Sequence, residues 1–426
     1  MINDESLRIV KESQMNKRFG KPIYSGYGFA ALPDTIKYLL TGVESPRMVP
    51  ERGFGILPRK ADKVIVLFID AFGWMFVERY YDKFPFLRRI AAEGVISQMT
   101  TQFPSTTTAH TTTIHTGLTV GESGLYEWFI YEPTLDDLII PLMYSYAGDT
   151  QRNTLKRSAA NPRTIYPRRN IYQTLNGAGI KSYVFLSREY AHSPFGEVVN
   201  DGAKVTSFRS LSEGLYNLSQ AVIHESGKGY YFWYYDLIDT MAHLYGPNSA
   251  QVEAEIITCL SALENILHRE LAGKVKDTLL LVTADHGQAE VSPETVIYLN
   301  QTLPGLTPMI KTNRRGQALV PAGSPRDMFL HLKPEAIDES LDLLSRHLEG
   351  RAEVYRVSDM INAGYFGEQV SEAFRARVGD VVVLPYAHES VWWYLKDRVE
   401  LRFLGMHGGL LPEEMQTSLM VMPYFE

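Results

Sequence analysis

The sequence predicts an α/β fold, a three-layer sandwich with a mainly parallel central sheet and a small inserted α/β unit. Three observations predict it. Continuous runs of β-branched and aromatic residues recur along the chain, as strands buried on both faces do. Stretches with apolar residues at helical spacing alternate with them. After residue 290 the rhythm shifts to a short strand–helix–strand pattern of its own.

In chain order, residues 4–14 form an amphipathic helix, and TIKYLLTG (35–42) a second one stopped by glycine. ESPRMVPERGFGILPRK (44–60) is a Pro-, Gly- and Arg-rich loop, which makes 1–60 an N-terminal helical and loop segment. KVIVLFID (63–70) is the first buried strand and GVISQMTTQF (94–103) the second, followed by a helix over 107–115 that ends at Gly117. SYVFLS (182–187), GYYFWYYDL (229–237) and DTLLLVTAD (277–285) are further strands, with a helix over 253–271 before the last. Residues 326–357 read as strand, helix, strand inside an inserted unit at 296–378. GDVVVLPY (379–386) and the segment to 426 are expected to return to the main sheet, completing a core of 61–295 and 379–426. In GGLLPEEM, Pro412 and the acidic residues suit a helix start that anchors the loop before it.

Composition limits the functional classes. The chain has 426 residues, 45% hydrophobic and 21% charged, which suits a folded protein with a large core. A net charge of −7 disfavours stable binding of a nucleic-acid duplex. Cys259 is the only cysteine, so no intrachain disulfide forms. The opening MINDESLRIVKESQ is charged, and the longest apolar run (64–77) is broken by Asp70 and too short to span a bilayer. A soluble, cytoplasmic protein without a membrane partner is expected.

The residues with chemistry cluster at strand ends, where open α/β sheets bind ligands. Asp70 ends the first strand, and Asp285 and His286 end LLLVTADHG. Asp239 follows GYYFWYYDLI, with His243 one helical turn beyond, and His407 sits in GMHGG. One aspartate after a strand is usually a turn or cap residue. Several such positions on one rim are different, because carboxylates that close repel one another unless cations lie among them. Mixed Asp/His ligation suits Zn²⁺, with Mn²⁺ the alternative. A threonine cluster in TTQFPSTTTAHTTTIHTGL (100–118) stands between a strand and a helix. A hydroxyl there meets the positive end of a helix, where phosphate is favoured, and a metal would favour its alkoxide.

The ordered set FIDAFG, FPSTTTAHTTTIHTGL, DLIDTMAHLYGP, VTADHG and GMHGG resembles the alkaline phosphatase superfamily, most of all its type I phosphodiesterase/nucleotide pyrophosphatase branch. In that family the catalytic hydroxyl precedes the threonine of a Thr-Gly pair by nine residues. Here the pair is Thr116-Gly117, so the resemblance implies Thr107, with Thr106 and Thr108 as fallbacks. It also implies two divalent ions, one on Asp70, Thr107, Asp285 and His286, the other on Asp239, His243 and His407. The implied reaction attacks a small phosphorylated substrate and passes through a phospho-threonine. Trp128 occupies the place of an asparagine that helps hold phosphate in nucleotide pyrophosphatases, which weakens the case for a nucleotide. Tyr234 and Arg326 are further candidates for the substrate pocket. His110 and His115, on the helix after Thr107, read as structural or supporting residues. The same site could serve a phosphonate hydrolase, a phosphomonoesterase or a phosphomutase. A non-catalytic binding protein on this fold would need a lost ligand or nucleophile, and none is lost.

Overall fold

A computed structural model describes every residue of the chain except 56, 159, 397 and 426. Helix α1 (Asp4–Glu12) is capped by the Asn3 side chain, which accepts from Ser6 N, and α2 (Leu32–Thr41) ends at Gly42 in the left-handed conformation. Then come β1 (Lys63–Ile69), β2 (Val95–Thr100), α3 (Thr107–Thr116), β3 (Lys181–Ser187), β4 (Lys204–Phe208), α4 (Leu211–His224), β5 (Gly229–Tyr235), α5 (Leu237–Tyr245), α6 (Ala250–Ala262) and β6 (Thr278–Thr283). The later part contains β7 (Met328–Leu330), α7 (Ile337–His347), β8 (Ala352–Arg356), β9 (Val381–Pro385) and β10 (Gln416–Tyr424).

Seven strands form the central sheet in the order β2-β10-β6-β1-β5-β3-β4. Pairings β1–β5, β1–β6, β3–β5 and β3–β4 are parallel, and β10 runs antiparallel to both of its neighbours. The unbroken apolar runs follow from burial of both faces. Ile65, Leu67 and Ile69 of β1 pack into one core with Trp233 and Leu280. Val64, Val66 and Phe68 pack into the opposite core with Tyr230, Phe232 and Leu281. Each such side chain contributes roughly 1.5–3 kcal/mol when fully buried, so this layer needs apolar residues at both parities.

One expectation is corrected. The strand within GDVVVLPY does not return to the central sheet. As β9 it lies between β7 and β8 in a separate three-stranded antiparallel sheet. Its side chains are split between two apolar clusters, Val382 and Leu384 in one and Val381 and Val383 in the other. A run with both faces buried carries no mark of which sheet it joins. Only β10 rejoins the main sheet. No helix among the described residues is long and apolar enough to cross a membrane.

Candidate active site

The strand order brings the predicted ligands together. β6, β1 and β5 are adjacent and parallel, so Asp285-His286, Asp70 and Asp239 leave the sheet along one rim. Because β10 runs the other way, the loop leading into it starts at that same rim and delivers His407. The FIDAFG and DHG loops touch there. A side chain on Gly73 would sit 2.6 Å from the Gly287 Cα, and one on Gly287 would sit 2.2 Å from the Glu413 carbonyl oxygen. Neither position can hold a larger residue without moving backbone.

Ligand atoms of Asp70, Asp285 and His286 lie within 4.8 Å of one another, as do those of Asp239, His286 and His407. His243 Nε2 is 3.3 Å from Asp239 Oδ2. The two groups meet at His286, whose ring stacks on that of His407 with centroids 3.6 Å apart. Backbone carbonyls orient the imidazoles. His243 Nδ1 contacts Gly405 O at 2.7 Å and His407 Nδ1 contacts Ser105 O at 2.9 Å. If each Nδ1 donates to its carbonyl, the Nε2 lone pair turns toward the carboxylates, as a metal ligand requires.

The cluster without cations is electrostatically unfavourable. Asp70 Oδ1 and Asp285 Oδ2 are buried and have no hydrogen-bond partner. Burial, followed by the charges of Asp285 and Asp239, holds the Asp70 carboxyl well above the usual carboxylate range. Burial also raises Asp285. Burial lowers His286 to about 4 and His407 to about 3, so both rings are neutral near pH 7. For Asp239 burial acts upward and is the largest single influence, but His243, through its charge and its hydrogen bond, together with His407 and His286, lowers it. Orphaned carboxylate oxygens beside neutral imidazoles are the donor set that divalent cations take. The residues present therefore fit divalent cations.

The threonines sort themselves by position. Thr106 is the cap residue of α3, and Thr106 and Thr108 are buried. Thr107 is the first helical residue and is only partly buried. Its Oγ1 lies 3.2 Å from His286 Nε2. Beside it opens a pocket of about 190 Å³, lined among others by Asp70, Asp239, Thr107, Trp128 and Tyr234.

Trp128 lines the same pocket as Thr107. Tyr234 also lines the pocket, and its hydroxyl donates to Asp70 Oδ2, so it orients that carboxylate. Arg326 does not reach the pocket. It is fully buried, pairs with Glu414 at 3.1 Å, and donates to the Pro385, Tyr386 and Glu389 carbonyls. Glu414 in turn accepts from Gly409 N and Leu411 N, so the ion pair fastens the His407 loop. Arg326→Met is expected to cost about 3–5 kcal/mol in chemical denaturation, because it strands a buried carboxylate. A loss below about 1 kcal/mol would remove that role.

Sequence reasoning missed several groups. Gln288, directly after the DHG motif, donates to Asp239 O and Oδ1. Its place beside the motif was the one available signal. Glu127 and Asp327 are buried, and each carries a carboxylate oxygen without a partner. Burial pushes Glu127 up to about 8, and burial with the Glu127 charge holds Asp327 well above its usual range. Nothing in local sequence marks this pair, which tertiary packing assembles. His110 is structural, with Nε2 accepting from Gln102 N at 2.8 Å, whereas His115 lines the pocket.

The sequence model of the type I phosphodiesterase / nucleotide pyrophosphatase family matches residues 64–410. No curated protein sequence matches the chain. Solved structures similar to it include murine ectonucleotide pyrophosphatase/phosphodiesterase 5, at 18% identity over 85% of this chain and 88% of that chain, TM-score 0.62. The human protein of the same name matches at 18% identity over the same shares, TM-score 0.63. An inactive variant of the murine protein in complex with AMP matches at 18% identity over 85% and 88%, TM-score 0.61. At this identity the likeness is one of fold.

Proposed function

The chain belongs to the type I phosphodiesterase / nucleotide pyrophosphatase family and is a phosphoester hydrolase, and we propose that it cleaves phosphodiesters with Thr107 as nucleophile. The observation that carries this reading is the position of the Thr107 hydroxyl. It is partly exposed on a pocket and 3.2 Å from His286, the residue shared by the two Asp/His groups.

Asp70, Thr107, Asp285 and His286 would hold one divalent ion, and Asp239, His243 and His407 the other; Zn²⁺ suits the donor set and Mn²⁺ is the alternative. When bound, such ions supply positive charge to the phosphoryl oxygens and lower the pKa of the threonine hydroxyl. The rest of the work falls to the chain. The N-terminus of α3 directs its free backbone N–H groups toward a phosphate. Thr107 Oγ1 bonds to phosphorus as the leaving alkoxide departs, giving a phospho-threonine that water then hydrolyses. Tyr234 keeps Asp70 oriented, and Trp128 walls the side of the pocket.

The pocket supports a diester over a monoester. Among the described residues the one cation in its lining, Arg152, is already paired with Glu189 at 3.2 Å, which leaves little to neutralise the extra charge of a monoester. Phosphonate hydrolysis and phosphoryl transfer remain the competing chemistries for the same residues. A cytoplasmic setting, suggested by a single buried cysteine, belongs to the proposal as well.

The test is a substrate panel with added Zn²⁺ or Mn²⁺: bis-p-nitrophenyl phosphate, p-nitrophenyl phosphate and p-nitrophenyl phenylphosphonate. Chelator-sensitive hydrolysis is expected to be fastest with the diester. Preference for the monoester or the phosphonate would replace the reading with the corresponding alternative. No hydrolysis of any of the three would overturn it.

A further inference from the structure

Helix α3 presents more than its nucleophile to the pocket. Thr107, Thr111 and His115 are spaced four residues apart and all three line it. His115 therefore stands two turns, about 12 Å, along the helix from Thr107. Apolar and aromatic walls, including Leu142, Phe195 and Phe232, enclose the space beside them. The His115 ring meets Phe232 edge-on, with centroids 4.7 Å apart.

The proton positions on His115 follow from its surroundings. Nδ1 lies 2.6 Å from the Tyr172 hydroxyl. That phenol is fully buried, its burial keeps it protonated, and His115 is its one hydrogen-bond partner among the described residues. A buried hydroxyl with a single neighbour donates to it, so Nδ1 is the acceptor. Burial lowers the His115 pKa to about 3, so the ring is neutral and carries its one proton on Nε2. Among the described residues no group accepts from that N–H. Leu142, Leu186, Phe195 and Phe232 thus give the pocket apolar walls among its polar groups, and His115 adds an unspent donor two turns from the nucleophile.

We propose that His115 is a specificity residue, and that the pocket takes a planar, apolar ester group ending in a hydrogen-bond acceptor such as a carbonyl or an aromatic ring nitrogen. This rests on the phosphodiester reading of Thr107. The acceptor would meet the Nε2–H that otherwise depends on water. An isostere without the acceptor leaves that donor buried and unpaired, which disfavours it.

The test uses two mixed diesters with the same p-nitrophenolate leaving group, one carrying a pyridylpropyl and the other a phenylpropyl ester, at mildly alkaline pH where the pyridine is uncharged. The wild-type protein with added Zn²⁺ is expected to favour the pyridyl ester about tenfold in kcat/KM. His115→Phe is expected to bring the two esters level, and His115→Gln, which keeps a donor, to restore part of the preference. Equal rates in the wild type, or a preference that survives in His115→Phe, would overturn the proposal. Calorimetric binding of both esters to Thr107→Ala and to Thr107→Ala/His115→Phe separates the two readings. A preference in binding without turnover keeps the pocket assignment and sinks the reaction. Turnover without preference does the reverse.

Discussion

Replacing Thr107 by alanine is expected to lower hydrolysis of bis-p-nitrophenyl phosphate by roughly 10⁴-fold or more, on the scale seen when a nucleophile is deleted. The fold should tolerate the change. Thr107 sits at the first position of α3, while Thr106 occupies the cap. Among the described residues, the one polar contact of its hydroxyl is the 3.2 Å approach to His286. Alanine is a good helix former, so stability should change by about 1 kcal/mol or less. Metal content should persist, since six Asp/His ligands remain. Two further readouts make the prediction specific. Mass spectrometry of acid-quenched wild-type protein should find phosphate on the peptide containing Thr107. Thr106→Ala and Thr108→Ala, at buried positions, should retain turnover. Loss of activity in Thr108→Ala with full activity in Thr107→Ala would move the nucleophile by one residue.

Removing divalent ions is expected to abolish activity and to lower the thermal midpoint by several degrees. In the metal-free site, Asp70 Oδ1 and Asp285 Oδ2 are buried without partners, and the neighbouring negative charges act on one another. Ions that bind the native chain stabilise it by mass action, about 2.7 kcal/mol at a hundredfold excess over the dissociation constant. The same electrostatics give a less intuitive expectation for Asp285→Asn. It should destroy activity, yet its metal-free form should be at least as stable as the metal-free wild type, because one of the repelling charges has gone. The chelator-induced shift in melting should shrink accordingly. Calorimetric melting of both proteins with and without chelator measures this. A chelated wild type that keeps its activity, or a metal-free Asp285→Asn much less stable than metal-free wild type, would show that the cluster is not a metal site.

The candidate ligands were legible because each is tied to a local signal. Asp70, Asp285 and His286 directly follow buried apolar runs, and Asp239 and His243 are one helical turn apart after another. A chain that leaves a parallel strand must turn at the sheet rim, so residues just past such strands are brought to one edge whatever the rest of the sequence does. His407 had only its motif, and it depends on the antiparallel placement of β10. Arg326 misled because an arginine near a strand carries no mark of burial. Pairing with Glu414, 88 residues away, is what turned it into a structural residue. The strand 381–385 misled for a similar reason, since an apolar run states its burial and not its partner.

Much of the pocket was not legible, beyond Thr107, Trp128, Tyr234, Asp70 and Asp239. His115, Arg152, Asn200 and Phe232 share its lining although they come from separate stretches of chain. His115 sits on an almost wholly buried helix, where no amphipathic pattern singles out a face. By itself, then, the sequence determined the α/β fold class, the rim at which the ligands gather and the family to which the chain belongs. These depend on hydrophobic runs and the residues immediately after them, which are local properties. Tertiary structure alone decided which histidine offers the pocket a proton and which arginine is walled away from it. Those outcomes depend on contacts between residues far apart in the chain, and no spacing along the sequence records them.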